Sequence, residues 1–436
     1  MFSPRMRFLL LAQVVFWGTV VLFAFGPWPW PVDNPLEFYA FLGAAYGLFF
    51  IGYCAADWRK ARPYNRMYDP RTLIYLGGVL NVLLMVERLT RGDAGLDSLS
   101  DALADPGSAY KAIQDTAVGA FESAMGDQLR TLLSPVLAFP LPLAIVFYRQ
   151  MGWGPRLVAL CSVLLDLIYA LRTGVNQHLW YVLIIAASAY LILASIKKAP
   201  VISLRTAFVM LIGIGLGCGA LWYFTKGQVT RYRGQDLPDY SEEAQVGVQQ
   251  EHWMLRCLPE GARPGMIRFI SYVTHGYFGL TLCMQEDFVW TYGLGSCPAV
   301  LTFCYNLGID PTPIYFRTYA ARTEASTGYQ AGLNWSTVFP SFAGDLTFPG
   351  AAVAMGIFGW LFSKVTSEAV VRQNPFAVCL ACQLWIEIAF VSANNQLGQN
   401  RRAFVTTVGL LTMWVLSRVG SKATEARVGS ITPIQR

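Results

Sequence analysis

The sequence predicts an all-α polytopic membrane protein with about ten, and up to about twelve, transmembrane helices. Three observations predict it. Hydrophobic residues make up 54% of the 436 residues and charged ones only 14%, against about 25% charged in soluble domains. Apolar stretches near membrane-crossing length recur along the chain. Lys and Arg crowd into alternate connections, the bias that marks cytoplasmic loops.

Seven candidate spans precede residue 225: 8–25, 36–56, 72–86, 131–148, 157–171, 179–196 and 207–224. Some, such as 72–86 and 157–171, are short and must recruit flanking residues. Arg5 and Arg7 before the first give it a signal-peptide look. No small-residue cleavage site follows FAFGPWPWP, so it reads as an anchor. Three more spans, 347–363, 375–392 and 403–417, follow a long polar segment. No Lys or Arg falls inside any of the ten.

The cationic connections are 57–71 (Arg59, Lys60, Arg62, Arg66, Arg71), Arg149 and Arg156, Lys197 to Arg205, and Lys364 to Arg372. The 419–436 tail, with Lys422, Arg427 and Arg436, follows Arg418. These are the cytoplasmic side, so both termini are expected there. Two long connections then fall outside. In 87–130, Ile113, Ala117, Phe121, Met125 and Leu129 recur every four positions, which predicts an outer amphipathic helix over 108–129. The other, 225–346, holds HGYFGLTLCMQEDFVWTYGLGSCP at 275–298. An apolar start, an acidic middle and a GLG turn fit a helix that re-enters or lies at the interface. The alternative is a full span at 266–284 paired with another at 298–309.

Composition also excludes functions. Three His in the whole chain rule out a His-rich metal cluster, and a net charge of +6 gives no nucleic-acid footprint. Neither GxxxxGK[ST], HExxH nor a CxxC…CxxC arrangement occurs. Cys257, Cys283, Cys297 and Cys304 fall in the outer segment, where disulfides are permitted; buried free thiols are the equal alternative. Cys379 and Cys382 lie mid-span and suit packing better than redox chemistry.

The outer segment favours Arg over Lys: Arg231, Arg233, Arg268, Arg317 and Arg322. Arg binds phosphate oxygens bidentately and keeps its charge when desolvated. Aromatics interleave, as in interfacial belts or glycan clefts. Without a DxD triplet, a metal-bridged nucleotide sugar is not suggested. An outer-face transferase would take a lipid-linked sugar, whose pyrophosphate leaving group Arg can stabilise without metal. Ionisable residues inside spans, Asp166 and Glu387, carry the competing transporter or flippase reading.

YFGLTL, WTYGLG and NWSTVFPSFAGDLTFPG, running into a span after a large late outer loop, resemble bacterial O-antigen or oligosaccharide repeat-unit polymerases. The likeness covers most of the chain as architecture and about 270–355 as motif. It implies a GT-C-like membrane glycosyltransferase of the bacterial inner membrane. Such an enzyme joins repeat units carried on undecaprenyl pyrophosphate at the periplasmic face, without cofactor or metal and with inversion. Its partners would be the lipid-linked oligosaccharide donor and acceptor, membrane lipid and a chain-length regulator. The related O-antigen ligases share the chemistry.

Carried over, Arg231 and Arg233 in RYRG bind the donor pyrophosphate, with Arg268, Arg317 and Arg322 as second choices. His275 or Asp287 is the base for the acceptor hydroxyl; the other reading of His275 is an interfacial side chain bonded to a carbonyl. Asp345 either caps the helix after it or orients a sugar hydroxyl.

Overall fold

The computed structural model describes residues 3–61, 68–90, 99–119, 125–198, 204–232, 240–241, 244–331 and 334–419. Helix accounts for 77% of the structure, so the fold is all-α as expected. Among the described residues the one sheet is a two-residue pairing of β1 (Tyr240–Ser241) with β2 (Val246–Gly247), antiparallel, Tyr240 opposite Gly247.

The helices run α1 (Pro4–Phe25), α2 (Pro35–Ala55), α3 (Pro70–Thr90), α4 (Leu99–Ala104), α5 (Pro106–Gly119), α6 (Met125–Leu132), α7 (Ser134–Leu137) and α8 (Pro140–Val146). Next come α9 (Trp153–Thr173), α10 (Asn176–Ile196), α11 (Leu204–Tyr232), α12 (Trp253–Arg256), α13 (Arg263–Cys283) and α14 (Pro298–Asn306). The chain ends with α15 (Thr312–Tyr315), α16 (Tyr319–Thr327), α17 (Phe339–Ser367), α18 (Pro375–Ala389) and α19 (Arg401–Val419). Proline opens many of them, at the position where its missing N–H costs nothing.

Among the described residues six helices are long and apolar enough to cross a membrane: α1, α2, α3, α9, α10, and α17 with its π-helical extension to Arg372. The short spans did recruit their flanks: 72–86 lengthens to Pro70–Thr90 and 157–171 to Trp153–Thr173. The fourth expected span, 131–148, is not one helix. It breaks into α6, α7 and α8, with a 72° bend between Gly126–Leu132 and Ser134–Val146. Pro135, Pro140 and Pro142 explain this, since each lacks an N–H and clashes with the preceding turn. As a bent pair it would make a seventh crossing. The stretches expected as spans seven, nine and ten lie in α11, α18 and α19. The outer helix expected over 108–129 is also divided: α5 stops at Gly119 and α6 starts at Met125. Residues 120–124 lie outside the described residues, as do the side chains of Ile113, Ala117, Phe121 and Met125.

At the core sits α18, which has 15 residues and buries every one from Pro375 to Ile388. A helix apolar all round is a buried one. The α2–α17 contact is set by small residues: a Cβ on Gly52 would sit 1.9 Å from the Gly356 carbonyl oxygen, so only glycine permits this approach. Connections sort to two ends. Arg5 reaches the Tyr53 and Cys54 carbonyls, Trp58 bonds Ser363 and Arg418 pairs with Glu368 at 3.1 Å, all at one end. At the other, Gln249 N–H donates to Pro27, Gln285 to Asp33, Lys226 to Leu103 and Thr337 N–H to Ala393.

The stretch from 275 begins inside α13, one uninterrupted helix. Its Tyr277 hydroxyl lies 2.8 Å from Thr19 and 2.9 Å from Tyr46, tying it to α1 and α2. Trp28 and Trp30 donate their indole N–H groups to Ile267 O and Thr274 Oγ1. The chain leaves the helix after Cys283, and α14 has nine residues. Nine residues rise about 14 Å, less than half the roughly 30 Å hydrocarbon layer. The paired-span alternative is therefore not formed.

Against the mid-point of α13, the backbone of 391–393 comes so close that a Cβ on Gly276 would lie 1.9 Å from Ser392 O. Gly276→Val should destabilise the protein by at least about 1–3 kcal/mol, the usual range for overpacking. Lowered thermal midpoint and loss of a monodisperse chromatographic peak report it. Gly261→Ala, where a Cβ meets nothing within 4 Å, is the control; equal behaviour of the two variants would refute the packing argument.

Candidate functional site

The broken α6–α8 segment leaves a cavity of about 190 Å³ in the bundle. Its polar lining includes Arg130, Asp166, His178, Tyr181, Asn400 and Arg402. Leu141, Pro142, Val182 and Ile185 give it an apolar wall. Non-helical backbone among membrane helices persists where it lines such a cavity.

Arg130 is 5% exposed and pairs with Asp166 at 3.0 Å. It also donates to the Met85 sulfur. The other Asp166 oxygen accepts from Asn81 Nδ2 at 2.9 Å, and Asn81 bonds Ser162 Oγ at 2.8 Å. Arg402 acts electrostatically on the same carboxylate and on Arg88. Arg88 lies over the Tyr169 ring at 4.2 Å and 3.6 Å from Asp127. His178 stands between the Tyr169 and Tyr181 rings, in the field of Arg402, Arg130 and Arg88. The cavity lining thus carries two guanidiniums against one carboxylate, and its surplus is positive. Such a wall suits a phosphate group.

None of the lining residues comes from 225–346. Sequence reasoning placed the site there and missed Arg130, Arg402 and His178. Asp166, one of the two acids inside expected spans that carried the transporter reading, pairs with Arg130. That acid in an otherwise apolar stretch was the signal available.

A second cavity of about 180 Å³ lies on the other face of α18 and α19, lined by Phe16, Met355, Phe358, Val391, Phe404 and Glu387 among others. Its wall is almost wholly apolar. Glu387 accepts the Leu397 N–H at 3.0 Å.

The residues expected to act sit differently. His275 donates from Nδ1 to Ser271 O at 2.9 Å and accepts the Trp335 N–H at Nε2, 3.2 Å, so both ring nitrogens are engaged. The carbonyl-bonded reading of this residue is the one realised. Asp287 is exposed. Arg317 donates to Trp290 O at 2.7 Å and lies over Tyr292. Arg322 is 3.6 Å from Glu286 and over Tyr319. Arg268 is half-buried in α13. The side chain of Arg231, and all of Arg233, lie outside the described residues.

Asp345 corrects both readings made of it. It neither caps a following helix nor stands open to a ligand; it lies inside α17, two residues before the break at Thr347 (φ 64°). Its Oδ1 accepts from Thr291 Oγ1, Gly293 N–H (2.8 Å) and Gly295 N–H (3.3 Å). Its Oδ2 accepts from Ser296 N–H and Ser296 Oγ, each at 2.7 Å. The carboxylate cages the GLGS turn, where Gly293 has φ 81°. Asn395 Nδ2 holds the same turn through Ser296 O at 2.8 Å. Burial, then the Asp345 charge, push the nearby Cys297 thiol up. All nine cysteines are free.

No protein-family profile, curated protein or solved structure matches this chain.

Two outcomes follow from this geometry. Asp345→Ala leaves five donors without their acceptor and should raise amide hydrogen exchange at 291–296 more than tenfold, an effect of about 1–3 kcal/mol; unchanged protection there would remove the clamp. Asp166→Leu strands Arg130 and should cost toward the lower end of about 3–5 kcal/mol, because the Asp166 side chain is 33% exposed. Chemical denaturation in detergent measures it, and Asp166→Leu with Arg130→Met should recover most of the loss.

Proposed function

We propose that this protein is a membrane glycosyltransferase. It polymerises oligosaccharide repeat units carried on undecaprenyl pyrophosphate, at the periplasmic face of a bacterial inner membrane. The observation that carries the reading is the Arg130–Arg402 cavity, with a positive surplus at its polar end and an apolar wall beside it. A lipid-linked pyrophosphate has that same division of charge and hydrocarbon. The sequence resemblance and the alternating cationic connections support the remainder.

In this scheme Arg130 and Arg402 hold the donor pyrophosphate. His178, buried beside the guanidiniums, accepts a hydrogen bond from the acceptor hydroxyl and positions it, and the proton passes to water as the new bond forms. The hydroxyl oxygen forms the new bond to the anomeric carbon as the bond from that carbon to the pyrophosphate oxygen breaks. The electron pair leaves on the lipid pyrophosphate, and the guanidiniums stabilise its growing charge without metal. Attack opposite the leaving group inverts the configuration. Arg231 and Arg233 are proposed as further headgroup contacts. His275 becomes a positioning residue that holds α13 to Trp335.

Purified protein given lipid-linked repeat units should yield longer chains. Arg130→Ala and Arg402→Ala should each cut polymer at least a hundredfold, about 2.7 kcal/mol, the scale of losing one charge-stabilising group. Translocation without new glycosidic bonds would replace this reading by a flippase; unchanged polymer in both variants would remove the cavity from the reaction.

The orientation has its own check. In a variant keeping only Cys257, which is exposed, a membrane-impermeant maleimide should label intact spheroplasts. Labelling that requires permeabilisation would reverse the topology.

A further inference from the structure

A third opening differs in chemistry from the Arg-lined cavity. Its volume is about 340 Å³, within the range of small-molecule sites, which starts near about 300 Å³. It lies between the turn after α1, the start of α2, and the 249–253 segment before and into α12. Its exposed rings are Phe25, Tyr39 and Trp253; its polar side chains are Gln249 and His252.

The floor is fixed from behind. Trp28 and Trp30 stack at 5.3 Å, and Trp30 stacks on Phe278 at 5.7 Å. Both indole N–H groups are spent on α13, so these two residues offer the opening only their rings. The wall is pinned by the Gln249 N–H to the Pro27 carbonyl, 2.8 Å. His252 accepts the Met254 N–H at Nδ1, 3.4 Å, which leaves the proton on Nε2 as a donor. The Gln249 amide offers both a donor and an acceptor.

Among the described residues no Asp, Glu, Lys or Arg lines this cleft. An anionic headgroup would find no countercharge in it. A hydrocarbon chain would strand the Gln249 and His252 polar groups, at about 1–3 kcal/mol each. A sugar ring meets both demands: its C–H face lies on an aromatic ring while its hydroxyls, donors and acceptors at once, pair with amide and imidazole.

We propose that this cleft is a saccharide subsite. It holds a neutral sugar of the repeat unit against Trp253 and Tyr39, with Gln249 and His252 bonding its hydroxyls. The assignment rests on the glycosyl-transfer reading for its substrate.

The test uses the full chain in phosphatidylcholine nanodiscs. The probe is the repeat-unit oligosaccharide of the producing cell, freed from its lipid by mild acid and labelled at the reducing end. Binding is read by fluorescence anisotropy. We expect saturable binding that weakens at least tenfold in Trp253→Ala and in Gln249→Ala. Arg256→Ala, whose side chain pairs with Glu251 on the exposed surface, should bind normally and so controls for local folding. Absence of binding by folded protein, or binding by both cleft variants as tight as that of the unmodified protein, overturns the subsite. Loss of binding when phosphatidylethanolamine replaces phosphatidylcholine also overturns it and assigns the rings to a lipid amine. If the subsite fails while Arg130→Ala still abolishes polymer, glycosyl transfer stands without it. If polymer never forms but the sugar binds, the cleft stands and the transferase reading falls.

Discussion

A guanidinium withdrawn from water among membrane helices costs several kcal/mol unless a carboxylate and further hydrogen bonds accompany it. Arg130 meets that requirement through Asp166, and Asp166 through Asn81, which in turn holds Ser162. Three segments, α3, α6 and α9, are therefore locked together by one chain of polar contacts. Arg402 then brings a second guanidinium to the same carboxylate. The lining thus sets two guanidiniums against one carboxylate, with the Arg88–Asp127 pair beyond it. The functional reading grows from that imbalance.

The cavity exists because a span is broken. Pro135, Pro140 and Pro142 prevent a continuous helix, and the 72° bend opens space that straight packing would fill. The fully buried α18 stands behind that space. Its Gln383 and Ile386 face the cationic cavity, while Glu387 and Ile388 face the apolar one. A helix places consecutive residues about 100° apart, so one short element separates two chambers of opposite character.

Several charges of the 225–346 segment are spent within it or on neighbouring backbone. Asp345 spends both oxygens on the GLGS turn, and His275 spends both nitrogens on backbone. Arg317 and Arg322 are engaged with their own segment. The motifs that resemble a polymerase, WTYGLG and AGDLTF, thus meet in one clamp beside the 391–398 turn. This clamped backbone ties α13 to the ends of α17 and α18. Those elements support the cavity without lining it with charge.

Composition and periodicity determined the class of the molecule, the positions of α1, α2, α3, α9, α10 and α17, and the two sets of connections. These follow from local rules: a helix needs a run of apolar residues to face hydrocarbon, and proline marks where helices begin or fail. Which charges meet was decided only by tertiary structure. Arg130, Asp166, His178 and Arg402 are separated by up to 272 positions (402 − 130), and nothing in their local sequence distinguishes them from Arg317 or Arg322. Helix packing brings the first set around one cavity and turns the second toward its own backbone, because electrostatic pairing depends on distance in space and on the water removed between groups, neither of which is written along the chain.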